Sequence, residues 1–323
     1  MSYLSTILEV LLIAVTMKIK ERNMKSLQGK IAVVAGATRG AGRGIACMLG
    51  EAGATVYCTG RSSRTQPRPQ PSTVKFSIEG RPETIEETAE MVTSYGGVGI
   101  PVRVDHTDPA QVAALFERVR AEQGRLDILV NDIWGGDAMV QWEQRFWEMD
   151  VTRIHPLMER AIYTHIITSR YGAPLLIEQR QGLIVEIGDG DTLSYRGSFL
   201  YDLVKTTILR LAFAMAEELR PHNVAAVAVT PGFLRSEAML EGFGVTEANW
   251  RDAVKQDPHF IASETPFFVG RAVAALAAEP QIMQKSGQAF SSWGLSDEYG
   301  FTDINGERPH WGRFFAEHVL KQA

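Results

Sequence analysis

Lys30-Ile31-Ala32-Val33-Val34-Ala35 runs directly into Gly36-Ala37-Thr38-Arg39-Gly40-Ala41-Gly42. The first six residues form an apolar, β-branched run, the pattern of a strand buried on both faces of a parallel sheet. Apolar residues at helical spacing then run from Ile45 to Ala52. Strand, glycine-rich turn and helix together present backbone N–H groups and a helix N-terminus to a phosphate. The spacing is Gly-x-x-x-Gly-x-Gly, and Ile45 stands where a Gly-x-Gly-x-x-Gly motif would place its last glycine. Gly36, Thr38, Arg39, Gly40 and Gly42 are therefore candidate cofactor contacts.

Working outward, Ala54 to Thr59 reads as a second strand. It ends in Gly60-Arg61-Ser62-Ser63-Arg64 with no acidic residue. NAD sites place a carboxylate here to bond the ribose hydroxyls. A forked cation suits a 2′-phosphate instead, and a carboxylate would repel one. Arg61, with Ser62 beside it and Arg39 from the glycine turn, thus favours NADP(H). Residues Thr65 to Ser77, rich in Pro, Arg, Gln and Ser, predict a loop.

A helix is expected from Ile85 to Tyr95 and a strand from Val98 to Val104, closed by Asp105-His106. A carboxylate at that strand end can bond an adenine amino group. His106 is placed beside it at the cofactor edge as a turn residue, not a catalytic one. Helix Ala110 to Gln123 and strand Leu126 to Val130 follow, then Asn131-Asp132-Ile133-Trp134-Gly135-Gly136. Strands alternating with helices predict an α/β fold, a Rossmann-like doubly wound parallel sheet with helices on both faces. The ligand is expected outside the strands' C-terminal ends.

Composition narrows the function classes. The 323 residues are 45% hydrophobic and 22% charged, enough for a sizeable core. Net charge is −5 and no long basic run occurs, which argues against nucleic acid. Two cysteines, Cys47 and Cys58, form no Cys-x-x-Cys unit, so neither a disulfide framework nor a metal site is expected. A reducing cytoplasm fits. Near the start, Leu4, Ile7, Leu8, Leu11, Leu12 and Val15 lie at helical spacing. The run is shorter than the ~20 residues of a membrane span and Glu9 interrupts it, so no transmembrane span is expected. A docking helix, a membrane-surface helix or an over-long start before Met24 are the three readings. No basic residue precedes the run, which argues against a signal peptide.

In the second half, Tyr201-Asp202-Leu203-Val204-Lys205 sets a phenol and an ammonium one helical turn apart, on one face. A phenol loses its proton near pH ~10, and a nearby ammonium favours the phenolate. The pair is expected to give or take a proton near neutral pH.

These features in this order resemble the short-chain dehydrogenase/reductase superfamily, over roughly Gln28 to Ser292. The resemblance rests on Gly36/Gly40/Gly42, the Asp105 edge, the Asn131-Asp132-Ile133-Trp134-Gly135 variant of Asn-Asn-Ala-Gly, Tyr201/Lys205 and Pro231-Gly232 after the strand Val224 to Thr230. Ser236 stands where the family's Pro-Gly-x-x-x-Thr motif has Thr. The resemblance implies hydride transfer between nicotinamide and a carbonyl/alcohol substrate. Tyr201 would be the general acid/base and Lys205 would hold the nicotinamide ribose and lower the tyrosine's pKa. Asn131 would lie near the cofactor, with Pro231, Gly232, Phe233 and Leu234 along the nicotinamide. A homodimer or homotetramer is also implied. A non-catalytic NADP(H)-binding sensor or scaffold and a lyase or epimerase of the same fold are the rival readings.

Two family residues are missing. Where a Ser usually bonds the substrate oxygen, after the strand Gly182 to Ile187, the chain has Gly188-Asp189. An ionised Asp189 cannot donate, and it would raise the pKa of Tyr201. Protonated, it donates; ionised, it accepts from a substrate hydroxyl or amine; or it caps the loop, with Thr192 and Ser194 nearby as substitute hydroxyls. Asp189 is carried as a third catalytic candidate. The helical Asn that anchors a relay water aligns with Ala161, in an expected helix Arg160 to Ile177; His165 lies one turn on and reads better as packed.

A helix is expected at Phe199 to Leu219, another at Pro266 to Ala278, and a closing strand at Gly287 to Ser292. The expected organisation is an extension (1–27), an oxidoreductase domain (28–292) with a substrate loop at 234–261, and an aromatic tail (293–323). Met239, Leu240, Phe243 and Trp250 in the loop imply a substrate with an apolar part. The tail is expected to pack on its own or a partner subunit, or to bring Arg308-Pro309-His310-Trp311 to the site.

Overall fold

A computed structural model describes residues 25–66, 75–77, 80–142 and 144–319. The apolar N-terminal run and most of the expected loop before Ser77 lie outside the described residues. Seven strands form one sheet: β1 (Ile31–Ala35), β2 (Thr55–Gly60), β3 (Val98–Arg103), β4 (Ile128–Asn131), β5 (Gly182–Ile187), β6 (Val224–Thr230) and β7 (Ala289–Ser291). Their spatial order is β3-β2-β1-β4-β5-β6-β7, and every neighbouring pair is parallel. The order reverses between β1 and β4, which opens a crevice at their C-terminal ends. Ala35 pairs with Thr59 on one side and Asn131 on the other, so three strand ends finish level there.

β1 shows why the sheet is buried on both faces. Ala32 and Val34 enter one core with Ile45, Leu49 and Val273; Ile31 and Val33 enter the other with Leu115, Phe116 and Leu176. The covering helices are α1 (Gly40–Glu51), α2 (Ile85–Ser94), α3 (Pro109–Gln123), α4 (Ile154–Met158), α5 (Thr164–Glu178), α6 (Phe199–Leu219), α7 (Glu237–Phe243), α8 (Pro266–Ala278), α9 (Ser292–Tyr299) and α10 (Trp311–His318). Local chemistry sets several ends. Asp108 accepts from the N–H groups of Ala110 and Gln111 at the start of α3, and Gly124 closes it in the left-handed region.

The expected elements recur with shifted ends. α1 begins at Gly40, not at Ile45: Gly40 stands at φ +56° at its very start, and Gly42 and Gly44 lie within it. A π-turn, Glu159–Tyr163, joins α4 to α5, so the expected helix starts earlier. The segment expected as a substrate loop is largely structured, with α7 and 3₁₀ turns at Trp250–Lys255 and Pro258–Ala262. Its Phe243, Trp250 and Phe260 form a separate apolar cluster with Phe76 and Phe233. The C-terminal residues pack back on their own chain. Asp303 accepts from the N–H (2.9 Å) and hydroxyl (2.5 Å) of Thr265, the residue that caps α8. Among the described residues no helix is long and apolar enough to cross a membrane.

Candidate active site

A cleft of about 700 Å³ opens at the C-terminal ends of the strands. It brings together Gly36, Thr38, Arg39, Gly40, Arg61, Ser62, Asp105 and His106 from one half of the chain. From the other half come Asp189, Tyr201, Lys205, Pro231, Gly232, Phe233 and Leu234. Gly42 and Asn131 do not face it.

On the glycine-turn side the backbone leaves no room for side chains. Gly36 has φ +91°, and a Cβ on it would lie 2.1 Å from the Asp132 carbonyl oxygen. A Cβ on Gly42 would lie 2.3 Å from the Gly36 oxygen. Gly42 is thus a packing requirement of the turn, and its N–H bonds the Asp132 carboxylate. Arg39 precedes α1 in extended backbone without a side-chain cap, so the first amides of the helix take their acceptors from elsewhere. Besides the Gly42 amide on Asp132, Gly40 N–H donates to Glu237 Oε2 at 2.8 Å, and Arg43 lies 3.5 Å from Glu237 Oε1. A carboxylate from α7 therefore sits where the helix N-terminus favours an anion.

Two cofactor expectations are redistributed. The Arg39 guanidinium is held by Glu83 (3.1 Å) and Ser62 Oγ (3.3 Å). Arg61 is exposed and lines the cleft, as do Arg160 and Lys205 deeper along its wall. Asp105 is partly buried, but bonds from the Thr107 N–H and hydroxyl hold its carboxyl below the usual range. His106 contributes wall, not a polar contact. Its ring nitrogens bond Thr59 Oγ1 (2.8 Å) and Thr168 Oγ1 (2.9 Å), and burial pushes its pKa down to about 3, so it is neutral.

Asn131 also differs from expectation. Its amide donates to Glu186 Oε1 (2.6 Å) and Ser169 Oγ (2.9 Å) in the sheet interior. His165 joins the same network, bonding Glu186 at 2.5 Å and the Ile133 carbonyl at 3.0 Å. It is a packed residue. The strand end meets the cleft through Asp132, Ile133, Trp134 and Gly135 instead. Burial raises the Asp132 carboxyl to about 7, although Lys205, the Gly42 N–H and His165 pull it down.

Tyr201 and Lys205 project from α6 into the cleft, as their spacing requires. Their relation is not the expected one. Lys205 Nζ lies over the Trp134 ring, 4.6 Å from its centre, and 5.5 Å from the centre of the Tyr201 ring. Trp134 and Trp142 flank Tyr201 with ring centres at 5.7 and 4.9 Å. Tyr201 Oη donates to Asp189 Oδ2 at 2.6 Å. The phenol's pKa is consequently raised well above its ordinary value, not lowered: burial disfavours phenolate, and the Asp189 charge and hydrogen bond add to that. Burial also lowers Lys205, against the opposing pull of Asp189, Asp132 and Asp137.

The Asp189 loop is shaped by Arg196, which bonds the carbonyls of Asp189, Thr192 and Ser194, and Asp202 at 3.0 Å. Thr192 and Ser194 bond one another at 2.7 Å in the exposed part of the loop and do not line the cleft. Opposite, Gly232 N–H donates to Glu264 Oε2 at 2.9 Å, and Ser292 Oγ donates to the same oxygen at 2.6 Å. Glu264 is fully buried, which raises its pKa to about 8. Trp311 of the C-terminal helix lines the cleft beside Phe233, with ring centres 5.7 Å apart. Sequence reasoning did not reach Trp142, Glu237, Arg196 or Glu264. Glu237 follows a motif residue, Ser236, but nothing in its neighbours signals a contact with Gly40. Among the described residues no cluster of metal-ligating side chains occurs.

With this geometry in place, comparison with known proteins is informative. The family model for short chain dehydrogenases matches residues 70–243. The chain is 35% identical over 301 residues to mouse dehydrogenase/reductase SDR family member 1, covering 92% of this chain and 90% of that protein. It is 26% identical over 216 residues to the Escherichia coli 3-oxoacyl-[acyl-carrier-protein] reductase, 66% of this chain and 76% of that one. A short chain dehydrogenase of Mycobacterium thermoresistibile superposes with a TM-score of 0.70 at 22% identity, over 88% of this chain and 92% of that chain. The matched segment, the parallel seven-stranded sheet and the full-length relative agree: the chain belongs to the short-chain dehydrogenase/reductase family, a family of oxidoreductases.

Proposed function

We propose that the protein is an NADP(H)-dependent oxidoreductase that moves hydride between nicotinamide and a carbonyl/alcohol substrate with an apolar part, using Tyr201 as general acid/base. The observation that carries this is the meeting of Tyr201 and Lys205 with the glycine turn in one cleft. The residues fit a dinucleotide. Gly36 and Gly42 occupy positions a side chain would block, the start of α1 meets the cleft at Gly40 and Ala41, and the exposed Arg61 lines it as the candidate partner of a 2′-phosphate. Asp105 is placed for the adenine and the loop from Pro231 to Leu234 for the nicotinamide. When bound, the dinucleotide supplies or accepts the hydride.

The chain's own residues manage the proton. Tyr201 stays protonated at neutral pH because burial and Asp189 both disfavour its phenolate. A protonated phenol is the form that can donate to a carbonyl oxygen, and reduction is the half-reaction we propose it serves. The buried Lys205 ammonium offsets the charge left on the phenol, and Asp189 fixes where the phenol proton points. Trp134 and Trp142 pack against the Tyr201 ring and hold it in place. The name of the bacterial relative, a reductase of an oxo group, is consistent with this direction.

We further propose one oxidoreductase domain over 28–292, the tail from 293 completing the cleft through Trp311, a cytoplasmic location, and a homodimer or homotetramer. The test is a titration of the purified protein with NADPH and NADH, followed by single-turnover reduction of an aryl ketone. Tighter NADPH binding with ketone-dependent oxidation is expected. Equal or tighter NADH binding overturns the arginine argument, and cofactor binding without turnover on a broad ketone panel overturns the enzymatic one.

A further inference from the structure

We propose that the substrate carries a hydrogen-bond donor, a hydroxyl or better an ammonium, on the carbon next to its reacting carbonyl. This rests on the reading of Tyr201 as proton donor. A phenol has one proton, and Tyr201 gives it to Asp189 Oδ2 at 2.6 Å. To reach a substrate oxygen that proton must leave Asp189. The half-buried carboxylate then gives up a charge-assisted hydrogen bond, next to a phenol that two tryptophan rings flank, which is unfavourable unless another donor takes its place.

Among the described residues the nearby cationic and hydroxyl donors are engaged elsewhere. Arg196 is committed to the carbonyls of its own loop, to Asp202 and to Thr206 Oγ1 at 3.3 Å. Lys205 lies over the Trp134 ring, and Thr192 and Ser194 bond each other. The substrate must therefore bring the donor. Because Oη and Oδ2 are only 2.6 Å apart, the two substrate heteroatoms that meet them must be near neighbours, as on adjacent carbons. The charge balance selects further: Asp189, Asp132 and Asp137 all act on the buried Lys205 ammonium, with Arg196 as the opposing cation. This surplus of carboxylates favours a cationic donor over a neutral one and disfavours a 2-oxo acid.

The exchange is balanced. The Tyr201 proton passes to the carbonyl oxygen as hydride from the reduced dinucleotide forms the new C–H bond. The C=O π pair becomes the O–H bond, and the substrate's N–H or O–H takes the vacated place at Asp189. Solvent later reprotonates Tyr201.

The test uses the full chain with α-aminoacetophenone, α-hydroxyacetophenone and acetophenone. Two readouts are compared: kcat/KM with NADPH, and binding of each ketone by quenching of tryptophan fluorescence without cofactor. The expected order is amino, then hydroxy, then unsubstituted, with the first ~10-fold or more above the last in both readouts. In Asp189→Ser the ratio should fall within ~3-fold, whatever the absolute rate, and in Asp189→Asn the advantage of the ammonium should vanish. Equal kcat/KM and equal binding across the three ketones overturn the inference while leaving the oxidoreductase reading intact. If none of the three is turned over, equal binding still overturns it. Failure to bind NADPH instead refutes the functional reading alone.

Discussion

On the glycine-turn side of the cleft, the inward groups are backbone amides, hydroxyls and a rim cation. On the Tyr201 side they are aromatic rings and carboxylates. The first wall is shaped by main chain: Gly36 and Gly42 stand where any Cβ would strike backbone, and the ends of β1, β2 and β4 finish level. The second is assembled from side chains of distant segments: Trp142, Asp189, Tyr201, Phe233 and Trp311. The difference teaches that the two walls carry different tasks. A main-chain wall can hold any dinucleotide of the right shape, whereas a side-chain wall sets acidity and choice of substrate.

The comparison is broken most sharply at Tyr201. Tyr201→Phe should lower kcat by ~10²–10⁴-fold while NADPH affinity, set by the opposite wall, moves little; stopped-flow turnover and a fluorescence titration measure the two. Loss of both together would mean that the walls are not separate. Next in size, Arg61→Ala should weaken NADPH ~10–100-fold and leave NADH unchanged, because only one of them carries the 2′-phosphate. Equal losses for both cofactors would move the phosphate contact elsewhere.

A smaller effect of opposite sign is expected at Glu237. Its carboxylate already sits on the Gly40 amide, so a dinucleotide phosphate must displace it. Glu237→Gln should tighten NADPH by ~2–5-fold, the scale of a charge at a helix N-terminus. Weaker binding would show that Glu237 supports the cofactor site and does not compete with it.

The smallest effect concerns stability. Glu264, under the Pro231–Leu234 loop, is raised to about 8, and Asp132, under the glycine turn, to about 7. Both lie above the ordinary carboxyl value. Their stabilising contribution is therefore complete below that value and is lost as pH rises through about 7 and about 8. Scanning calorimetry should show Tm falling by several degrees between about pH 4.5 and about pH 8 and levelling above that. Asp132→Asn should make the fall shallower up to about pH 7, and Glu264→Gln should end it at about 7 instead of about 8.

Much of this molecule is legible without coordinates, for reasons that differ by element. β5, β6, α6 and α8 have the expected ends because their apolar runs stop at strong punctuation, such as Thr230-Pro231 and Thr265-Pro266. α1 was read short because glycines hide helix periodicity, although Gly42 and Gly44 already lie within the helix. Asn131 matches a family position and His106 follows the Asp105 edge, yet both turn their polar atoms into protein networks. Position along a strand end does not reveal which face a side chain takes once neighbouring helices supply Ser169 or Thr168 as partners.

What the order of residues determines by itself is a set of local rules. Buried strands alternate with helices, glycines crowd one turn, and a phenol and an ammonium are set one helical turn apart, because the 2.0 and 3.6 periodicities act within a few residues. Tertiary structure alone decides the chemical character of that phenol. Its acidity depends on burial between Trp134 and Trp142 and on a carboxylate twelve residues upstream, and desolvation and Coulomb forces follow distance in space, not along the chain.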